Sequence, residues 1–411
     1  MAIPSLLRGQ LVSDEVPRDR TVTAQEQLDE DLKDSRFHLG PMRLLPGFEV
    51  NNAGYNSNVF GSQFNPVGDW TATLGLGTKV IIPFSSKVYF VGDAFPTYTW
   101  YANFSNLDTW GGHAKASIAG YFNRLSFEFG GNGFQGIATP TAEQPQPTLE
   151  KTADAFAHVE IDLTHKLGLF LGGEGERVRQ TQQTPVSPGE VNVALNDRTD
   201  QAYDAGLRLA LGSWVIAPEV QYTNSQFVLT PEQRNNTSTG YLLGVSYNQP
   251  KFFLNLVGGY REGESFQGST FPSYATPVGS YFVSYFVRPW LEFRTYGARR
   301  ISYSISIDNP YYFSNSIGGG LNIQVLTRVL LRGYAETGEN KYPIPQAVGP
   351  VELQRLDRVL NYGGGVSAIV YKKLTLTALV THKQDDSNIP GNSYSLLQFS
   401  TYLTFTGEFL R

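Results

Sequence analysis

From Pro41 to the end of the chain, apolar and polar residues alternate with a period of two. In the last segment Leu397, Phe399, Leu403, Phe405 and Phe409 share one face, while Gln398, Ser400, Tyr402, Thr404, Thr406 and Glu408 share the other. A β-strand sends successive side chains to opposite sides, so this segment reads as a strand with one apolar and one polar face. The pattern recurs. Trp70, Ala72, Leu74, Leu76, Val80 and Ile82 alternate with Thr71, Thr73 and Lys79; Tyr203, Ala205, Leu207, Leu209 and Leu211 with Asp204 and Arg208; Tyr241, Leu243, Val245 and Tyr247 with Ser246 and Asn248. Phe252, Leu254, Leu256 and Tyr260 alternate with Asn255 and Arg261, and Leu360, Tyr362, Val366, Ala368 and Val370 with Asn361 and Ser367. About eighteen such segments fit into residues 42–411, which leaves room in each for a spanning strand of ~9–11 residues and a connection.

A soluble propeller, β-helix or sandwich buries its apolar faces in a continuous interior. A closed sheet of this width leaves a lumen instead, so the apolar faces must point outward. The expected fold is all-β: a transmembrane, antiparallel, up-and-down β-barrel of about 18 strands, with 16 as the alternative. The connections support it by alternating in length. Short ones fall at Pro83–Ser86, Phe122–Arg124, Thr164–Lys166, Gly212–Ser213, Gln249–Lys251, Pro289–Trp290, Thr327–Arg328 and Tyr371–Lys373. Longer polar ones fall at Tyr55–Gly68, Ala138–Leu149, Thr181–Asp197, Leu229–Asn235, Gln267–Ala275, Pro343–Glu352 and Asp385–Asn392. Aromatics mark both sets of strand ends, as interfacial girdles do: Trp70, Tyr98, Trp100, Trp110 and Tyr203 near long loops, Phe48, Phe90, Trp214, Phe252 and Phe409 near short turns.

Composition excludes other classes. Aromatics at 13% rule out a disordered chain, and a cysteine count of zero rules out disulfide scaffolds and cysteine-ligated metals. The formal net charge of −5 argues against a nucleic-acid partner. Mean hydropathy is modest, −0.24, as expected of an average over an apolar outside and a wet inside.

Residues 1–41 form a separate polar arm, placed on the periplasmic side with both termini. Thr23-Ala24-Gln25-Glu26 reads as a capping box, and Leu28 and Leu32 follow at helical spacing, so one short helix is expected. No apolar stretch follows Met1, so the expectation is that a secretory leader was removed or that the chain is not exported.

After the first strand comes Gly54-Tyr55-Asn56-Ser57-Asn58-Val59-Phe60. It resembles the G-Y-[DN]-S-N-V-[FY] signature of the bacterial "beta-barrel porin 2" type, and strand pattern and length extend the resemblance over residues 41–411. It implies a Gram-negative outer-membrane location. Some members of that type look like exopolysaccharide secretion channels working with a periplasmic export partner, which the resemblance makes an alternative function here. The final strand departs from the usual terminal-phenylalanine assembly signal, since Leu410 and Arg411 follow Phe409.

No catalytic, cofactor or metal site is expected. Of the five histidines, His113 and His158 have inward parity, but no serine partner completes a nucleophilic set, which leaves a barrel enzyme as the weakest reading. Gly318-Gly319-Gly320 and Gly363-Gly364-Gly365 lie within strands and suggest close backbone approach rather than a ligand loop. Inward parity instead gathers charge. Asp154, Glu160, Asp162, Glu174, Glu176, Asp200 and Asp204 form an acidic wall with Arg208 as its one base. Arg294, Arg300, Arg328 and Arg332 form a more basic wall, against Glu292 and Glu336. A tight turn at Thr164–Lys166 puts Asp154 opposite Glu176 and Lys151 opposite Arg179. Lys151, Arg177 and Arg179 share outward parity near the loops, where lipopolysaccharide phosphates would lie. The expected function is passive passage of hydrophilic solutes or saccharides through a charge-segregated lumen, within outer-membrane lipid. Tyr89, Tyr296, Tyr334, Tyr394 and Tyr402 have the inward parity that a polysaccharide track would need.

Overall fold

The computed structural model describes residues 24–405, apart from 36, 139, 140, 142, 184–191, 307, 349, 372 and 373. Phe409, Leu410 and Arg411, and with them the departure from the terminal assembly signal, lie outside the described residues, as does the Thr23 cap.

Eighteen strands form one closed antiparallel barrel. They are β1 Met42–Asn56, β2 Asp69–Pro83, β3 Val88–Tyr101, β4 Thr109–Tyr121, β5 Leu125–Ile137, β6 Thr148–Asp162, β7 Leu167–Gln182, β8 Arg198–Leu211 and β9 Trp214–Phe227. They continue as β10 Asn236–Gln249, β11 Phe252–Ser265, β12 Tyr274–Arg288, β13 Leu291–Tyr303, β14 Tyr311–Leu326, β15 Val329–Lys341, β16 Leu356–Tyr371, β17 Leu374–Ser387 and β18 Tyr394–Phe405. Each strand pairs with its sequence neighbours, and β1 pairs with β18 to close the wall.

The parity reading fixes which face points where. Trp70 (58% exposed), Leu76 (71%), Trp110, Tyr203, Tyr241, Leu243, Ile317 and Phe399 lie bare on the outer surface. A soluble monomer does not expose apolar area on this scale, whereas lipid covers it. No helix among the described residues is long and apolar enough to cross a membrane; the strands do so.

The Gly54–Phe60 stretch is the seam of the barrel. A Cβ on Gly54 would sit 1.7 Å from the Phe399 carbonyl oxygen of β18, so only glycine fits where the two strands meet. Just before it, Asn52 takes φ 50° and the register shifts, a bulge that bends β1 into closure. Ser57 Oγ accepts from the Leu397 amide at 2.8 Å, and Asn58 Nδ2 donates to the Ser62 and Ser395 carbonyls at 2.9 Å. Val59 is buried beside Tyr101 and Leu107. The motif thus reads as closure chemistry.

Helix α1 (Ala24–Asp34) precedes the barrel. Leu28 and Asp31 are buried on one side of it, and Asp31 forms an ion pair with inward-facing Lys79 near the short-turn end of β2. A short strand, Phe37–Leu39, then pairs with the start of β1. Helix α1 therefore rests against the inner wall.

Candidate functional site

The lumen is the candidate site, and its acidic side is built by β6, β7 and β8. In these strands even-numbered residues point inward, shown by buried Phe156 and Phe170 and by exposed Lys151, Leu171 and Tyr203 on the other parity. Asp154, Glu160, Asp162, Glu174, Glu176, Asp200, Asp204 and Arg208 all take the inward parity. The register is the one expected from the tight turn: Asp154 opposes Glu176 and Lys151 opposes Arg179. Asp200 continues the row, opposing Glu176 from the other side.

The acids are less bare than parity suggests. Arg208 bonds both Glu160 and Asp162. Asn132 Nδ2 donates to Asp154 at 2.8 Å. Arg198, which the inward tally leaves out, is buried on the same wall with its Nε 2.8 Å from Asp200 Oδ2. Two further inward charged residues of the neighbouring strands escaped that tally: Glu219 on β9, buried, and Arg261 on β11, which donates to Gln221 and Ser238.

On the facing side, Arg294 and Arg332 have inward parity on β13 and β15, and Arg294 pairs with Glu292 at 3.0 Å. Glu292 also accepts from Ser284 and Asn322. Arg328 is a correction: it occupies the two-residue turn between β14 and β15 and is exposed, so it sits on the rim rather than the wall. The parity count ran through a turn in which strand alternation has stopped. Arg300 belongs to a segment with different geometry.

That segment is the far end of the β13–β14 hairpin. The β12–β13 ladder stops at Gly279 and Arg299, while β13 and β14 stay paired to Tyr303 and Tyr311. Beyond that point Ile301, Tyr303 and Tyr311 have outer-surface parity yet are buried, packed on inward-facing Phe227, Leu242, Val257, Tyr274 and Val278. The hairpin end has left the wall and folded across the inner faces of β9 to β12. Tyr303 Oη shares hydrogen bonds with Ser225 Oγ (2.8 Å) and Asn236 Oδ1 (3.1 Å), and the Arg198 guanidinium lies 5.0 Å from its ring. Connections at 102–108 and 304–310 were not foreseen, and the second is the tip of this hairpin.

The β5–β6 loop reaches in from the opposite side. Glu143 accepts from Ser304 Oγ and from the Ile305 amide (2.8 Å), both in the hairpin tip. It also accepts from the Tyr342 hydroxyl and pairs with Arg355 Nη1 at 3.2 Å. Tyr342 and Arg355 flank β15 and β16, ten strands round the barrel from β5 and β6. Tyr394 donates to the Thr141 carbonyl at 3.1 Å. Burial, then the Glu143 carboxylate, push the Tyr342 phenol well above its ordinary range, so it stays a donor. Burial alone would lower Arg355, but Glu143 and Asp357 hold its guanidinium above the usual value. Arg234, donating to the Ser304 carbonyl at 2.6 Å, is pushed down to about 10 by burial and still carries its charge at neutral pH.

The remaining expected residues fall apart as a site. His113 stacks on Phe95 and lies 3.4 Å from Asp93, while His158 stacks on Phe170. On the strand between them their partners are Phe134 and Glu128, so the two imidazoles sit at different heights. Of the five inward tyrosines, Tyr296 is buried over Gly318, where a Cβ would meet its ring at 2.6 Å; Tyr334 and Tyr402 bond wall asparagines, Asn361 and Asn52. Lys151 and Arg177 lie exposed on the outer face, and Arg179 pairs with Asp197 at 3.7 Å.

Solved structures similar to this chain are outer-membrane barrels. OccAB3 of Acinetobacter baumannii is 12% identical, with 88% of this chain and 99% of that one covered and a TM-score of 0.52. A BenF-like porin from Pseudomonas fluorescens Pf-5 is 11% identical over 88% and 98% of the two chains, with a TM-score of 0.52. OccK2 (OpdF) of Pseudomonas aeruginosa, solved in complex with glucuronate, is 9% identical over the same shares, with a TM-score of 0.51. No protein-family model matches the sequence, and no curated protein matches it. At these identities the likeness is one of fold: an eighteen-strand outer-membrane barrel.

Proposed function

We propose that the chain is an outer-membrane channel for passive passage of small hydrophilic solutes. The observation that carries this is the inner wall itself: charged side chains on facing strands, bordered by a loop and a hairpin end that reach in from opposite sides. Charges held in a confined, low-dielectric tube act on polar solutes far more strongly than charges in open water. Inward-folded segments favour small molecules over a polymer, and of the inward tyrosines Tyr296 is buried while Tyr334 and Tyr402 are bonded to wall asparagines. Reconstitution in planar bilayers tests this: stepwise ohmic currents are expected, together with liposome swelling that falls off as the sugar offered grows. Absence of both would sink the reading. OccK2, whose structure holds glucuronate, supports solute passage as a class only.

The outer face supports a second contact. Lys151 and Arg179 are cross-strand partners with Arg177 on the same face near the loops, a cluster of cations suited to the phosphates of lipopolysaccharide. Alanine at all three positions should reduce lipopolysaccharide co-purification; unchanged co-purification would rule this contact out.

A further inference from the structure

We propose that the inner wall at β4 and β5 carries a stacking platform for a sugar ring, centred on Phe134. The inference rests on the channel reading and names a solute class for that lumen. Parity places Phe134 inside. It shares a face of β5 with Glu128, which pairs with Lys115 at 2.9 Å, and with Asn132, which donates to Asp154 on the acidic wall. The ladders on both sides of β5 run without a register shift, so this parity carries through to Phe134. Its side chain is 42% exposed. The other exposed apolar side chains of this region, Ile118, Leu125, Phe129 and Ile161, take the opposite parity and face lipid. A phenyl ring bare to lumen water gains nothing from that burial.

A second open ring stands beside it. The cross-strand partner of Phe134 on β4 is His113, whose side chain is 41% exposed. The imidazole stacks on buried Phe95 of β3, with centroids 5.6 Å apart and planes 4° apart, and its Nε2 lies 3.4 Å from Asp93. Directly opposed side chains have Cβ atoms about 5 Å apart, so the two rings lie next to each other across two strands. The outer edge of the Phe134 ring lies over Gly136, where a Cβ would meet it at 2.8 Å, so the ring is laid along its own strand. β5 ends at Ile137, and the loop that follows crosses the lumen to Ser304 and Tyr342. The platform therefore lies at the root of a segment that narrows the passage.

The surroundings select the ligand. The face of an aromatic ring carries partial negative charge and attracts C–H groups of partial positive charge. A pyranose has flat faces of such C–H groups and a rim of hydroxyls. Groups that bind hydroxyls border the platform: Thr152 directly across from Phe134 on β6, and the Asn132 amide with the Asp154 carboxylate beside it. An apolar surface with a few placed polar groups is how small-molecule sites orient a ligand. An open-chain polyol matches the polar rim but has no face to stack.

Cellobiose serves as the probe, an uncharged disaccharide whose equatorial ring hydroxyls leave the faces to C–H groups. With the full chain in planar bilayers in potassium chloride, cellobiose should reduce the single-channel current in a saturable way. Sorbitol, an open-chain polyol, should reduce it only by the viscosity it adds. Phe134→Leu, apolar but without a flat face, should raise the half-blocking concentration of cellobiose about fivefold, and Phe134→Trp should keep or lower it. Phe129→Leu, on the lipid face of the same strand, should leave it within about twofold. Conductance in salt alone should change little in all three variants and reports that each has inserted as an open barrel. Equal block of wild type and Phe134→Leu, saturable block by sorbitol as strong as by cellobiose, or no saturable block of the wild type overturns the proposal while leaving a channel in place. Protein that inserts and passes no current overturns the channel reading and this one with it.

Discussion

Two segments enter the barrel from opposite sides, and they are held by different physics. The β13–β14 hairpin end docks through a cluster of nine buried side chains, Ile301, Tyr303 and Tyr311 among them. The β5–β6 loop is held across the lumen mainly by one carboxylate, Glu143, which gathers Ser304, Ile305, Tyr342 and Arg355. Burial of apolar area is spread over many contacts and tolerates a single loss. A hub of charged hydrogen bonds is concentrated, and losing its centre strands every partner. The hairpin end should therefore behave as fixed wall and the loop as the part that a single change can release.

The largest effect should come from Glu143→Ala. Removing one member of a buried, bonded charge pair costs about 3–5 kcal/mol, and a loop with few other anchors has little to set against it. The loop should leave the lumen, single-channel conductance should rise, and thermal unfolding of the barrel should change little. Unaltered conductance would show that the loop is held by something other than this carboxylate.

Tyr303→Ala comes next. Truncating a buried aromatic costs about 3–5 kcal/mol of local packing, but eight other members of the cluster remain. Hydrogen exchange in 300–313 should quicken while conductance moves less than with Glu143→Ala. If conductance rises more, the contrast between distributed and concentrated anchoring is wrong. Tyr303→Phe, which removes only the hydroxyl shared with Ser225 and Asn236, should shift exchange by roughly a third as much.

What the sequence disclosed follows the same division. Period-two alternation located the staves and their two faces, because burial in lipid is a local demand on every second residue. The tight turn at Thr164–Lys166 even gave the β6–β7 register, since a short turn leaves one alignment. The hairpin end stayed hidden because Tyr303 and Ile305 still alternate with Ser302, Ser304 and Ser306; nothing local shows that the strand has left the wall. Arg198 escaped because it is the first residue after the expected Thr181–Asp197 connection, at the very start of β8, where strand parity has only begun. Glu143 sits in a proline-rich loop, and Ser304 and Tyr342, which it bonds, are 161 and 199 residues away. Such a pairing exists only once the barrel has closed.

The smallest effect should come from Tyr394→Phe, and it sharpens the comparison most finely. The Tyr394 hydroxyl donates to the Thr141 carbonyl, a tie between the loop and the wall that is separate from Glu143. Its ring is almost wholly buried and survives the substitution, so only the hydrogen bond is lost, worth about 1 kcal/mol. If Glu143 is the principal anchor, Tyr394→Phe alone should leave mean conductance unchanged and add only brief open-level fluctuations. Combined with Glu143→Gln, it should release the loop more fully than either change alone, because two ties on one segment are coupled. Strict additivity of the two would mean that Thr141 and Glu143 belong to parts of the loop that move independently.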